Sequence, residues 1–215
     1  MEAIPVLEDL TQFQSYRAPI DLTFNQYLLA GSLPILVHTG DMDTAGELEP
    51  RVRSLLGSRL LAFIVISHFE SDECGGLRRW LDRFPEASPV CSEVTARQLA
   101  GFGISRTALV RKPGELLEAG DWTLEFLAYP AEMHLWEGLV AFERRRRILF
   151  SADLFIRRGL PRPAIQGLVW RDEVEGISPA QVPAPDARAA LQTTLAVLPV
   201  EYVAPGHGPF LKAGA

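Results

Sequence analysis

In the first half of the chain, hydrophobic positions form short apolar runs typical of strands and a helically spaced pattern. Residues 22–30 and 33–38 are short apolar stretches separated by a glycine and a serine, a pattern that predicts a hairpin of two strands. Residues 47–56 carry leucine and valine at helical spacing and are followed by a glycine, so we expect a helix there. The run 60–66 is apolar throughout and predicts a buried strand.

The remaining pattern predicts a mixed α/β protein whose second half is richer in strands. In the first half, helices are predicted at 77–84 and 93–102, with a short strand between them at 89–91. In the second half, strands are predicted at 108–111, 122–129, 138–143, 148–151 and 200–204, and a helix at 186–198.

Segment 154–185 has little periodicity and is longer than a passive connection usually is. We expect it to cover a site or to make a subunit contact in a homodimer. No internal linker is visible, so residues 1–215 are expected to form a single domain.

Composition narrows the class of protein. The chain has 215 residues, of which 47% are hydrophobic and 22% charged, and a formal net charge of −6. These values are typical of a soluble globular protein, and the negative charge argues against nucleic acid and anionic membrane surfaces as partners. The longest apolar run, 60–66, is far shorter than the roughly 20 residues of a membrane helix. With no secretory signal visible and only Cys74 and Cys91 as thiols, we expect a cytoplasmic protein.

The first candidate chemistry lies in the polar loop that follows the buried strand 60–66. This loop places His68, Glu70, Asp72 and Glu73 within six residues. Crowded carboxylates raise one another's pKa values, and a divalent cation is the simplest way to neutralise them. The alternating positions of His68, Glu70 and Asp72 would put all three on one side of an extended loop. The ordinary alternative is a solvated loop that caps the next helix.

Three more residues with metal-binding side chains follow predicted strands. His134 comes after strand 122–129, Asp153 after strand 148–151, and His207 after strand 200–204. A single histidine is more often a packed or surface residue. Three of the four histidines of the chain lie at strand ends, however, as expected for ligands gathered at one edge of a sheet. The sequence therefore favours a metal site at this edge.

This arrangement is similar to that of a known superfamily. The matching residues are, in order, His68-x-Glu70-x-Asp72, His134, Asp153 and Pro205-Gly-His207-Gly. The order resembles the metallo-β-lactamase superfamily, and more narrowly the β-lactamase-like domain of flavodiiron proteins and the related oxygen-binding diiron proteins. Zinc hydrolases of the superfamily carry a second histidine where this chain has Glu70.

The resemblance implies a fold and a metal centre. The fold would be a four-layer αββα sandwich with two iron ions between the sheets at one edge. His68, Glu70 and His134 would bind one iron, Asp72 and His207 would bind the other, and Asp153 would bridge them. A site rich in carboxylates and imidazoles also suits iron or manganese by its chemistry, and zinc remains an alternative.

The chain departs from the family pattern at two positions. Glu73 stands where the family usually has histidine. If it binds metal, the four carboxylates of the motif would match the charge of two divalent irons; otherwise it faces solvent or an arginine. His38 precedes Thr39-Gly40, where the superfamily commonly has aspartate. It either supports the metal loop or is a structural histidine at a strand end.

Three functions are compatible with the sequence. The first is a non-haem diiron protein that binds dioxygen, or nitric oxide, and reduces it. The chain ends eight residues after His207, so we expect no flavin site in it and an external electron donor of rubredoxin or flavodoxin type. The alternatives are a dinuclear zinc or manganese hydrolase of esters, thioesters or phosphodiesters, and a gas sensor without turnover. Phe69, Tyr129 and Trp136 are candidates for lining a gas pocket, although aromatic residues more often belong to the core.

Overall fold

The computed structural model describes residues 1–130 and 138–214, and within them each half of the chain forms one seven-stranded sheet. The strands are β1 (Glu2–Leu7), β2 (Leu10–Arg17), β3 (Leu22–Leu29), β4 (Ile35–Val37), β5 (Phe63–Val65), β6 (Ser88–Cys91), β7 (Leu109–Val110), β8 (Leu116–Ala119), β9 (Trp122–Tyr129), β10 (Gly138–Glu143), β11 (Ile148–Ala152), β12 (Ile165–Val169), β13 (Tyr202–Pro205) and β14 (Phe210–Gly214). The helices are α1 (Met42–Leu56), α2 (Ser71–Cys74), α3 (Leu77–Arg83), α4 (Glu93–Gly101), α5 (Trp170–Glu175) and α6 (Pro185–Ala196), and a 3-10 turn spans Ala18–Ile20.

The two sheets have different strand orders. The N-terminal sheet runs β1 to β7 in sequence order, antiparallel as far as β4 and parallel from β4 to β7. The C-terminal sheet has the order β12-β14-β13-β11-β10-β9-β8, with β11 and β13 parallel neighbours. The carboxyl ends of parallel strands lie at the same edge of a sheet, so the residues that follow β11 and β13 are brought close together.

Three apolar clusters separate four layers. The cluster between the sheets contains Tyr27 and Val37 from one sheet and Phe126 and Phe150 from the other. A second cluster packs α1 and α3 on the outer face of the N-terminal sheet. A third packs α5 and α6 on the outer face of the C-terminal sheet. The predicted αββα sandwich is confirmed, and every residue of β10 is buried because both faces of that strand are covered.

The sequence pattern predicted most elements but missed both ends of the chain. The hairpin β3–β4 and most of the predicted strands and helices are present. Strands β1, β2 and β14 were not predicted; in β2, buried glutamines interrupt the apolar alternation. Helix α1 begins five residues before the predicted start, with the Asp41 side chain accepting from the Thr44 amide. Segment 154–185 contains β12 and α5. None of the helices in residues 1–130 and 138–214 is long and apolar enough to cross a bilayer.

Candidate metal centre

The acidic loop after β5 is folded differently from the sequence-based expectation. Glu70 is extended and precedes α2, a single helical turn that carries Asp72 and Glu73. The alternation argument for an extended loop was therefore wrong, since it applies only as far as Glu70. The helical turn still directs the carboxylates of Asp72 and Glu73 towards the histidines. The Oε2 atom of Glu70 lies 3.2 Å from Nε2 of His68.

The C-terminal sheet contributes Asp153, after β11, and His207, after the neighbouring strand β13. Asp153 lies between the two histidines: its Oδ2 is 3.2 Å from Nε2 of His68, and its Oδ1 is 3.3 Å from Nε2 of His207. On its other side, His207 Nε2 is 3.5 Å from Oδ2 of Asp72. Side chains from both sheets thus converge on one cluster.

Glu73 faces into this cluster and not towards solvent. Its side chain is 1% exposed, and neither carboxylate oxygen has a hydrogen-bond partner among the described residues. Its Oε2 is 3.9 Å from Nε2 of His68. The potential ligand atoms form two sets of three, and within each set the atoms lie within 4.8 Å of one another; Glu73 belongs to both sets. The sets are His68, Glu70, Glu73 and Asp72, Glu73, His207.

Hydrogen bonds to the Nδ1 atoms orient both histidine rings. His207 Nδ1 is 3.1 Å from the carbonyl oxygen of Thr23, and His68 Nδ1 is 2.9 Å from Oγ of Ser67. Since a carbonyl only accepts, Nδ1 of His207 carries a hydrogen, which leaves Nε2 as the nitrogen that can bind a metal after losing any proton of its own. The sequence analysis missed Thr23 and Ser67. For Ser67, its position directly before His68 was the one feature of the sequence that could have indicated this role.

His38 directly follows β4 and contacts the metal loop, so both roles considered for it stay predictions. Its Nε2 is 3.0 Å from the Ser67 hydroxyl, and its Nδ1 is 4.0 Å from Oε1 of Glu73. Burial and the nearby charge of His68 lower the pKa of His38 to about 3, so its ring is neutral. The backbone of His38 is left-handed, with φ of 63°, as is that of Ala152 before Asp153, with φ of 48°. Such conformations are uncommon outside glycine and often mark functional sites.

The two glycines beside His207 are required by close packing. A Cβ on Gly208, whose φ is +105°, would lie 2.9 Å from the Cβ and carbonyl oxygen of Arg157. A Cβ on Gly206 would lie 3.1 Å from the carbonyl oxygen of Ala152. The Gly-His-Gly sequence therefore allows the turn to sit directly against the segment that carries Asp153.

Without metal, the cluster holds strongly perturbed groups. Burial alone would lower the pKa of His68, but its interactions with Asp153, Glu70 and Glu73 outweigh burial and raise that pKa to about 11. Burial would raise the pKa of Asp153, but the neighbouring imidazoles hold it well below its usual range. Burial, followed by the charge of Asp72, raises the pKa of Glu73 well above its usual range.

These observations fit a metal centre. The two buried oxygens of Glu73 accept no hydrogen bond from the residues that the structure describes, which is costly unless something neutralises and binds them, and divalent cations do both. The donors are imidazoles and carboxylates, a set that suits iron or manganese. Cys74 adds no thiolate: burial, followed by the charge of Glu73, raises its pKa to about 12, and its thiol donates to the Glu70 carbonyl.

The other predicted residues lie at the edge of the cluster or outside the described residues. The Tyr129 ring meets the His68 ring edge-on, with centroids 5.8 Å apart. The Phe69 ring packs against Phe102, with centroids 5.1 Å apart. His134, the predicted third ligand of the first iron, and Trp136 fall in residues 131–137 and so lie outside the described part of the chain.

Comparison with models of known protein families identifies the family of this chain. Residues 22–208 match the model described as ODP family beta lactamase, a range that includes most of both sheets and every predicted ligand. The chain belongs to the ODP family. The family assignment agrees with the resemblance drawn from the spacing of the ligands.

Relatives of this ODP domain include oxidoreductases. The coenzyme F420H(2) oxidase of Methanothermobacter marburgensis is 32% identical over 154 residues, 68% of this chain and 38% of that protein. The anaerobic nitric oxide reductase flavorubredoxin of Salmonella typhi is 22% identical over 67% of this chain and 30% of that protein. The crystal structure of the flavodiiron protein from Giardia intestinalis superposes with a TM-score of 0.80 at 16% identity, covering 99% of this chain and 56% of that one. The ODP domain thus spans about a third to about half of these proteins.

Proposed function

We propose that the chain is the diiron domain of an oxidoreductase. The observation that carries the proposal is the pair of ligand sets that share the buried carboxylate of Glu73, which accepts no hydrogen bond from the described residues, with Asp153 between the two histidines. When bound, two irons would supply the redox chemistry that reduces a small oxidant. His68, Glu70 and His134 would hold one iron, Asp72, Glu73 and His207 the other, and Asp153 both.

Glu70 is the most exposed of the predicted ligands in the described part of the chain. Glu70 is 60% exposed, whereas the side chains of His68, Glu73 and His207 are each less than 10% exposed. A small neutral molecule could therefore approach from the side of Glu70, while most of the cluster is kept from bulk water. The hydroxyl of Ser67 and the carbonyl of Thr23 keep the histidine rings in place during turnover.

We propose dioxygen as the oxidant, with nitric oxide as the alternative. The names of the relatives support this choice, since one is an oxidase and another a nitric oxide reductase. A rubredoxin- or flavodoxin-type protein is proposed as the electron donor, and a homodimer as the assembly. The cytoplasm is the proposed location, supported by two buried cysteines that are free thiols.

The experiment that tests the proposal is metal analysis of protein produced in iron-replete cells. We expect about two irons per chain, and oxidation of the reduced protein by dioxygen. Two zincs per chain, with esterase activity and no reaction with dioxygen, would contradict the proposal and support the hydrolase alternative. Rapid oxidation by dioxygen without sustained consumption, even with reduced rubredoxin or flavodoxin, would favour the sensor.

Metal binding should release protons and strengthen as pH rises. His68 has a pKa of about 11 in the metal-free protein, so at neutral pH a cation must displace its proton before binding Nε2. Glu73, whose pKa is raised by burial, adds to the release. We expect about one proton or more per chain in calorimetric titrations with Mn²⁺ at pH 7, run in two buffers of different ionisation enthalpy. A binding enthalpy that does not depend on the buffer would contradict this expectation.

A further inference from the structure

The turn that carries His207 is held by a group of buried polar side chains in the opposite sheet. We define this group as the amide clamp; it consists of Gln12, Gln14, Asn25 and Tyr27. Strands β2 and β3 are antiparallel, with Gln12 opposite Tyr27 and Gln14 opposite Asn25. All four side chains therefore lie on the face that is turned to the C-terminal sheet. Each of them is at most 3% exposed.

The side chains of the clamp donate to two backbone carbonyls of the turn, those of Pro205 and Gly208, which flank Gly206-His207. The oxygen of Gly208 accepts from Gln12 Nε2 at 3.3 Å, Gln14 Nε2 at 3.2 Å and Asn25 Nδ2 at 2.9 Å. The oxygen of Pro205 accepts from Asn25 Nδ2 and from the Tyr27 hydroxyl, at 2.9 and 2.8 Å.

Asn25 is the central member of the clamp. Its Nδ2 bonds to Pro205 and Gly208, the carbonyls on either side of Gly206-His207, and its backbone amide donates to the Gly206 carbonyl at 2.8 Å. A side-chain amide has two hydrogens, so this one group fixes both ends of the turn. No other residue type of this size could donate twice without adding a charge.

We infer that Asn25, assisted by Gln12 and Gln14, is a positioning residue that sets the affinity of the metal bound through His207. The argument rests on the function proposed above. The turn places the His207 imidazole in the cluster, 3.5 Å from Asp72 and 3.3 Å from Asp153, and its Gly206 amide donates to the Ala152 carbonyl at 2.7 Å. A turn released from the clamp would lose this placement, whereas His68 is held separately, by Ser67. The clamp should therefore act on one metal and not on the other.

The test compares metal titrations of wild-type protein with two clamp variants. Asn25→Asp replaces a double donor with a carboxylate that faces carbonyl oxygens, and Gln14→Met removes one of the three donors to Gly208 with little change in volume. Gln26→Met is the matched control. Gln26 is a neighbouring buried amide on the opposite face of β3, and no hydrogen bond to the turn involves it.

Titrations with Fe²⁺ under anaerobic conditions and with Zn²⁺ should give the same pattern. We expect one of the two binding steps to weaken by roughly 10- to 100-fold in Asn25→Asp, and by less in Gln14→Met, while the other step is unchanged. In the zinc-loaded variants, ¹⁵N resonances of the histidine rings should shift for His207 and stay constant for His68. A merely structural role would weaken both steps together.

Three results would overturn the inference: both steps unchanged in the two clamp variants, both weakened equally, or the same loss in Gln26→Met. Using two metals separates this inference from the proposed function. Wild-type protein that binds two Zn²⁺ but no Fe²⁺ contradicts the diiron proposal, while selective weakening of one Zn²⁺ in Asn25→Asp still supports the clamp. If the wild-type protein binds neither metal, both the function and the clamp are wrong.

Discussion

Asp153→Asn is expected to lose at least one of the two irons and all reaction with dioxygen. The carboxylate of Asp153 lies within 3.3 Å of both histidines and is the only side chain of the C-terminal sheet that reaches both sets of ligands among the described residues. An amide of the same shape keeps one neutral oxygen donor but cannot neutralise two cations. Iron content by elemental analysis and the rate of oxidation by dioxygen are the measurements.

The fold of this variant should persist, because the apolar clusters of the sandwich do not include the site. Circular dichroism of the metal-free variant should therefore match that of the metal-free wild type. Asp186→Asn, the same substitution at an exposed position in the first turn of α6, is the control and should keep both irons. Full iron content and unchanged oxidation kinetics in Asp153→Asn would refute the assignment of Asp153 as the bridging ligand.

Glu73→His is expected to raise the midpoint potential of the iron centre, so that the reduced form becomes harder to oxidise. Glu73 is almost completely buried and its oxygens have no other partner in the described residues, so its charge acts on the metals with little screening. Replacing it with a neutral imidazole restores the usual family pattern and removes one negative charge. Less negative charge around iron disfavours the ferric state.

Glu73→Gln separates the effect of charge from that of ligation. It removes the same charge as Glu73→His but offers only a weak amide donor, so we expect a raised potential together with weaker binding of the second iron. Redox titration and iron affinity should be measured for both variants. An unchanged potential in both would show that Glu73 is not a ligand, and that the second iron has an open or water-filled position instead.

The site was predictable where polar residues interrupt an apolar pattern at a strand end. His68, Asp153 and His207 each follow a buried strand, and the sheet topology then brings them together. The direction of Glu73 was not predictable, because it depends on whether residues 71–74 are extended or helical. One helical turn takes Glu73 out of the alternation and places it against His68.

The amide clamp shows a different limit of sequence analysis. Gln12 and Gln14 interrupt the face of β2 that otherwise carries Leu10 and Tyr16, and nothing in the local sequence indicates that a turn almost 200 residues away needs their hydrogens. Buried polar groups of this kind are explained only by their distant partners. Strand β2 was missed for the same reason.

Because each half of the chain forms one sheet, the metal centre lies where the two halves of one polypeptide meet. The acidic loop after β5 belongs to the first half, and Asp153 and His207 belong to the second. The full set of ligands exists only after the halves have docked, so each cation bound there favours the docked state by mass action. Metal content is then also a measure of assembly: a chain cut between β7 and β8 would be held together by its cofactor as well as by its core.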